Sequence, residues 1–316
     1  MINNLVSLDG AAGIDVSGIN TIDQLLTTAG IDFAIEKAPV YTPEGDQIPS
    51  RNLIRRCDDH HILGVVGSKY HLVDTREMLK PFHEMVIDHG AKYENAGMVG
   101  GGRKIWVSAT LPEQMSVSGR SDDVIQNRIV CLINHDGLGK NAYVSIAHRM
   151  FCNNQLRMLR DRAQQTDYSL RHTKNWQMSL ELAHTGFSDA IANMKKFRRV
   201  ADSLNKKKMT LQEIEAFAKK LYKIKPKQDI SSQANKRHEL LKQLFVSGAG
   251  NRGETRWDAL NAVTEMLDHH SNREGKNPTH ARQLLQNRFM SSMQGYGNTV
   301  KQRAVSLLMD TTGTFK

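Results

Sequence analysis

The spacing of apolar residues changes near residue 153, and this change constrains the fold more than any other feature of the sequence. Before it, apolar and β-branched residues alternate over short runs, which is typical of strands. After it, apolar residues recur every three or four positions, as on the buried side of a helix. The pattern predicts an α+β fold with a mostly antiparallel N-terminal sheet and an all-helical C-terminal region.

Six runs in the first half predict strands, some joined as β-hairpins, with one or two helices among them. They cover Gln47–Arg56, Ile62–Val73, Tyr93–Val99, Arg103–Leu111, Val124–Asn134 and Ala142–Phe151. Thr75–His89 has helical spacing, and Pro81 inside it predicts a kink or a later start. Gly100–Gly102 precede a strand-like run rather than a helix, so they predict a hairpin turn and not a nucleotide-phosphate loop.

The second half begins with a long amphipathic helix, predicted over Trp176–Leu204. Thr210 with Glu213, and Thr255 with Asp258, have the spacing of capping boxes and predict two further helix starts. These signals divide the chain into four segments. They are an acidic segment at 1–46, an α+β core at 47–170, the long helix with a capped helix at 171–222, and a helical region at 230–316.

The chain of 316 residues has a formal net charge of +10, and its positive charge is concentrated between Met194 and Lys242. Such a block can bind a nucleic-acid backbone by releasing its counterions, or it can be a solvated helix surface, and the residue count favours neither. The sequence has no apolar run of membrane-spanning length and no signal-peptide pattern. We therefore expect a cytoplasmic protein without a membrane partner. Three distant cysteines predict free thiols.

The sequence carries no established catalytic motif, such as a nucleophile elbow, a Walker motif or H-E-x-x-H. The stretch CDDHH, residues 57–61, contains metal-binding side chains, but adjacent residues point in different directions and seldom converge on one ion. We therefore expect no catalytic residue, metal or cofactor. The alternative is a metal-dependent nuclease or nucleotide-modifying enzyme that gathers five side chains around a divalent ion: Asp58, Asp59, His60, His135 and Asp136.

Cations and hydrogen-bonding residues accumulate in three places: at the glycine hairpin, at the junction between the strands and the helices, and along the long helix. Their chemistry predicts contacts with the phosphates of single-stranded DNA. The predicted contact residues are Arg103, Lys104, His148, Arg149, Asn153, Arg157, Arg160, Arg171, Lys174, Lys195, Lys196, Arg198 and Arg199. Tyr70 and Trp106 are candidates for base stacking, with core packing as the other interpretation.

Several short motifs, in this order, resemble a known family. They are LGVVGSKYHLVD (63–74), GGGRKIWVSATLP (100–112), NHDG (134–137), RMFCNNQL (149–156), LRHT (170–173) and ETRWDALNAVTEMLDH (254–269). Over roughly residues 50–310 the chain resembles the phage/plasmid-like proteins that form domain-of-unknown-function family 932. The resemblance implies a role in phage or plasmid DNA metabolism and no established reaction.

The succession of hairpin strands and a long helix is also similar to the core of phage single-strand annealing proteins. This similarity implies a homo-oligomer, a ring or filament, that anneals DNA strands in recombination. A third hypothesis is an interaction protein that counters host defence. The sequence alone leaves these alternatives open.

Overall fold

A computed structural model describes residues 8–150, 154–157, 169–170, 192–223, 232–270 and 277–310. Antiparallel sheets occupy its N-terminal part and helices its C-terminal part, so the predicted α+β class is confirmed. The strands are β1 (Ile14–Asp15), β2 (Ile35–Tyr41), β3 (Gln47–Arg56), β4 (Ile62–Gly67), β5 (Lys92–Val99), β6 (Lys104–Val117), β7 (Arg120–Asn134), β8 (Asn141–Arg149), β9 (Asn154–Arg157) and β10 (Ser169–Leu170).

The described helices lie mainly after the strands in the chain. They are α1 (Leu8–Ala12), α2 (Ile22–Ala29), α3 (Thr75–Asp88), α4 (residues 192–206), α5 (Leu211–Leu221), α6 (Ser232–Ser247), α7 (Arg256–Asp268), α8 (Pro278–Gln294) and α9 (Tyr296–Met309). The rest of the helix predicted over 176–204, up to residue 191, lies outside the described residues. Among the described residues, no helix is both long and apolar enough to cross a membrane.

Two antiparallel sheets organise the N-terminal part. The larger has the order β1-β5-β6-β7-β8-β10, and β9 also pairs with β8. The smaller has the order β2-β3-β4. The acidic segment therefore contributes to both sheets, because β1 pairs with β5 and β2 pairs with β3. The sequence pattern did not reveal these two strands.

The glycine hairpin is confirmed. Gly100–Gly102 join β5 to β6 with φ angles of 61°, 67° and 108°, in the left-handed region that glycine adopts most easily. The strand predicted over Ile62–Val73 is shorter, since β4 ends at Gly67. α3 begins at Thr75, with a reciprocal capping box of Asp74 and Glu77, and Pro81 lies inside it. The alternative prediction, that the helix starts later, is therefore wrong.

Both predicted capping boxes of the helical region are confirmed. The side chain of Thr210 accepts from the amide of Glu213 at the start of α5. Thr255 accepts from the amide of Asp258 in the same way at the start of α7. Each side-chain cap satisfies an amide that the first helical turn leaves without a partner. The local signals of the sequence thus determine where these helices begin.

Side chains alternate across β6, β7 and β8 and build a core on each face of the large sheet. On one face, Val107 and Cys131 pack with α3 and the small sheet. Towards the other end of that face, Ile125 and Ala147 pack with α4, α5, α6, α7 and α9. On the opposite face, Trp106 packs with α8 and with Ala12 of α1. The helical region therefore covers both faces of the sheet.

A substitution at Gly97 tests how tightly the core around Trp106 is packed. A Cβ atom at Gly97 would overlap the ring of Trp106, which is fully buried and cannot move into solvent. We expect Gly97→Ala to lower the free energy of unfolding by about 1–3 kcal/mol, the usual cost of overpacking. Chemical denaturation measures this change.

Gly67→Ala is the matched control. It is also a strand glycine, but a Cβ atom there would meet nothing within 4 Å. Its stability should therefore be close to that of the wild-type protein. Equal stabilities of the two variants would contradict the packing described around Trp106.

Candidate nucleic-acid interface

Three motifs that are distant in sequence meet at one end of the molecule. The glycine turn lies against the CDDHH turn, because the guanidinium of Arg56 donates to Gly101 O at 3.2 Å and His61 Nε2 lies 3.2 Å from Gly100 O. The NHDG loop lies beside the glycine turn, since the amide of His135 donates to Arg103 O at 2.9 Å. The hairpin tip is therefore fixed against neighbouring loops.

The two basic residues of the tip are only partly available to a ligand. Arg103 is exposed, but its Nε donates to Leu63 O at 2.9 Å. Lys104 keeps about a third of its side chain exposed, and its Nζ lies 3.6 Å from Oδ2 of the buried Asp136. Both cations thus help to anchor the turn as well as offering charge at the surface.

Three of the five side chains in the enzyme hypothesis, those of Asp58, His135 and Asp136, are engaged in structural contacts. Arg56 donates to the Asp58 carboxylate at 2.5 and 2.9 Å, and this hydrogen bond lowers the pKa of Asp58 to about 2. Asp136 Oδ1 accepts the amide of Leu138 at 2.9 Å, and the buried His135 has Nε2 2.9 Å from Thr75 Oγ1. In the described ranges, no three Asp, Glu, His or Cys side chains are grouped so as to hold a metal.

His148 and Arg149, predicted to contact DNA at the junction, are buried. The Arg149 guanidinium donates to both carboxylate oxygens of Asp123, at 2.5 and 2.7 Å. It also donates to Ala249 O and Gly250 O, each at 3.0 Å. With its side chain 4% exposed, Arg149 does not fit the hypothesis of an exposed phosphate contact. It joins the sheet to the loop before α7.

A second buried pair lies next to the first. Arg120 donates to Asp258 at 2.7 and 3.1 Å, while the indole of Trp257 donates to Asp123 at 2.9 Å. Burial opposes ionisation of Asp258, but hydrogen bonds from Arg120 and from the backbone of Glu254 outweigh it and lower the pKa of Asp258 below its ordinary value of 3.8. These residues come from β7 and the first turn of α7, and sequence spacing did not connect them.

The two aromatic residues considered for base stacking differ in exposure. Trp106 is fully buried, with its ring centroid 4.9 Å from that of Phe289 on α8, and this placement fits core packing. Tyr70 is partly buried and packs against the core beneath α3, and burial raises the pKa of its hydroxyl. Neither residue presents a fully exposed ring on which a base could stack.

Four predicted contact residues are exposed together on α4. The helix buries Met194, Phe197, Ala201 and Leu204 in the core that it shares with α5, α6, α7 and α9. The opposite side carries exposed cations at four positions within five residues: Lys195, Lys196, Arg198 and Arg199. Arg198 lies 3.9 Å from Asp202, one turn further along the helix. We call these four residues the α4 basic face.

The remaining predicted contact residues lie around and beyond β9 in the chain. Asn153, Arg160, Arg171 and Lys174 lie outside the described residues. Arg157 belongs to β9 by its backbone. Within the described part of the chain, the α4 basic face is therefore the part of the predicted interface with the most exposed charge.

One family model matches the chain, over residues 62–292, and its description reads "Domain of unknown function" (DUF932). No curated protein and no solved structure matches the chain. The match includes the hairpin, the NHDG loop and α7, which supplies the buried aspartate of the second ion pair. It ends shortly before the end of α8.

Asp258 gives a test of the buried ion pairs. Asp258→Asn removes a fully buried charge and leaves the guanidinium of Arg120 without its anionic partner. Breaking a buried pair in this way costs about 3–5 kcal/mol, so we expect a loss of that order in the free energy of unfolding. Chemical denaturation at neutral pH measures it, with Asp122→Asn as the control because the Asp122 side chain is 67% exposed.

The stabilisation by the Arg120–Asp258 pair should depend on pH. The pKa of Asp258 is lower in the folded state than in the unfolded state. Its carboxylate therefore contributes fully to the stability of the fold above about pH 4, and this contribution is lost as the pH falls through the folded-state pKa. Between pH 5 and pH 3 the stability of Asp258→Asn should therefore fall less steeply than that of the wild-type protein. Parallel pH profiles for the two proteins would contradict this account of Asp258.

Proposed function

Because the chain belongs to the DUF932 family, whose description states no function, we propose from its geometry that the protein binds single-stranded nucleic acid through the α4 basic face. The proposed role is to hold a strand by its phosphates while a complementary strand pairs with its bases. Such annealing needs no catalytic residue. The resemblance to phage and plasmid proteins suggests that it takes place in a bacterial cytoplasm, during DNA recombination.

One observation carries the proposal: four exposed cations share the solvent side of a helix whose other side is buried. Residues three and four positions apart on a helix lie about 5–6 Å from each other between Cβ atoms, and like charges at this spacing weaken the helix. Lys195 and Arg198, and Lys195 and Arg199, have this spacing. A row of phosphates along α4 would replace this repulsion by attraction and release its own counterions.

Further along the basic block, acidic partners neutralise part of the charge. Lys208 lies 2.9 Å from Glu254, and Lys242 lies 2.7 Å from Glu215. Exposed ion pairs of this kind are solvated and contribute little to stability, but they reduce the field available to a polyanion. The proposal therefore assigns the interface to the α4 basic face rather than to the whole block from Met194 to Lys242.

Charge reversal tests this assignment. Substituting all four residues of the α4 basic face by glutamate should weaken the binding of single-stranded oligonucleotides of any sequence, since phosphate contacts carry no sequence information. The slope of log affinity against log salt should become shallower by about 3, because each neutralised phosphate of a single strand contributes about 0.7. Fluorescence anisotropy at several salt concentrations measures both effects.

The control reverses four exposed cations elsewhere, Arg51, Lys69, Lys80 and Lys92, and changes the net charge by the same amount. Its salt slope should stay close to the wild-type value. If both variants lose affinity equally, binding follows overall charge and not the α4 basic face. An unchanged slope in a folded α4 variant would also contradict the proposal.

Several copies of the protein should bind one long strand. A single α4 basic face reaches only a few phosphates, so an annealing protein gains affinity when neighbouring copies bind side by side. We expect light scattering to show an assembled species whose number of copies increases with oligonucleotide length. One chain per strand at every length would contradict the homo-oligomeric part of the proposal.

A further inference from the structure

A groove of about 580 Å³ lies between the sheet and the junction of α8 with α9, away from the residues of the α4 basic face. Its sheet side carries Lys104, at the start of β6, and Lys140, just before β8. Its helix side carries the amides Asn287 and Gln294. The volume is in the range of small-molecule binding sites, about 300–1,000 Å³.

The sheet side of the groove has a net positive charge. Lys140 is exposed, and Lys104 has the buried Asp136 as its acidic neighbour, 3.6 Å away. The other carboxylate oxygen of Asp136 accepts the amides of Leu138 and Gly139 at 2.9 and 3.3 Å. This single carboxylate offsets only one of the two ammonium groups, so the wall favours an anionic ligand.

The loop that carries Lys140 is held in a defined position. Asn134 Nδ2 donates to Lys140 O at 2.6 Å, and Asn141 Oδ1 accepts the amide of Asn134 at 2.8 Å. Gly139, the neighbour of Lys140, also lines the groove, and a Cβ atom there would lie 2.6 Å from Asn134 Oδ1, so this loop packs closely on Asn134. These contacts fix the backbone from which the Lys140 side chain extends.

The remaining walls suit a planar, partly polar group. Asn287 and Gln294 each offer amide donors and an amide acceptor, while Met290 and Ala142 provide apolar surface. A ligand with a phosphate at one end and a heteroaromatic ring at the other matches this arrangement, with the phosphate near the lysines and the ring beside the amides. We propose that the groove binds a nucleoside phosphate, either a free nucleotide or the phosphorylated end of a strand.

The test is calorimetric titration of the full chain with adenosine 5′-monophosphate and, separately, with adenosine. Adenosine 5′-monophosphate should bind saturably and more tightly than adenosine, because only the former carries the anionic group. Lys140→Gln should lower its affinity by about twofold to fivefold, in line with the loss of one exposed charge contact. Lys69→Gln, at an exposed lysine outside the groove, should leave it unchanged.

A steric variant tests the location of the binding site independently of charge. Asn287→Trp, at an exposed helix position, would fill the groove and retain both lysines, so it should also reduce the affinity. Circular dichroism confirms that each variant is folded. The proposal would be overturned if the wild-type protein shows no saturable binding. It would also be overturned if the folded Lys140→Gln and Asn287→Trp variants bind adenosine 5′-monophosphate as tightly as the wild-type protein does.

Two further arms identify the source of the phosphate and separate this site from the α4 basic face. Competition by a 5′-phosphorylated oligothymidylate, but not by its 5′-hydroxyl form, would support a strand end as the ligand. Failure of both to compete would support a free nucleotide. The fourfold α4 reversal should retain its affinity for adenosine 5′-monophosphate, so the groove can be tested even if α4 does not bind DNA.

Discussion

The helical region depends on two arginine–aspartate pairs buried between the sheet and α7. Arg149 and Asp123 join β8 to β7, while Arg120 and Asp258 join β7 to α7. Charges in such a place are tolerated only when partners satisfy them, and removing one partner leaves the other buried without compensation. The pairs also position Trp257, whose indole donates to Asp123 and whose ring lies 6.3 Å from that of Phe197 on α4.

The position of the α4 basic face follows from these contacts. Phe197 packs on α7, and Asp202 accepts the amide of Ser118 in the turn between β6 and β7 at 2.8 Å. With one side of α4 held by the sheet and α7, its cations are directed to solvent. Arg120 and Arg149 thus serve the fold, whereas the four cations of the α4 basic face lie at the surface. This division of the positive charge supports our functional proposal.

Local signals allowed the sequence to predict part of this structure correctly. β3 has the predicted bounds, Gln47–Arg56, and the glycine turn and both capping boxes are as expected, because each depends on residues close together in the chain. The ion pair of Arg120 with Asp258 joins residues 138 positions apart, so no local pattern reveals it. For the same reason the burial of Arg149, and the groove that brings Lys140 to α8, could not be predicted.

We propose that the protein binds single-stranded nucleic acid without chemically changing it. The most direct measurement is an electrophoretic mobility and annealing assay with end-labelled single- and double-stranded oligonucleotides, with and without Mg²⁺ or Mn²⁺. We expect a shifted single strand that stays intact, binds in the absence of metal, and pairs faster with its complement. Metal-dependent cleavage of the labelled strand, or no binding at low salt, would contradict it.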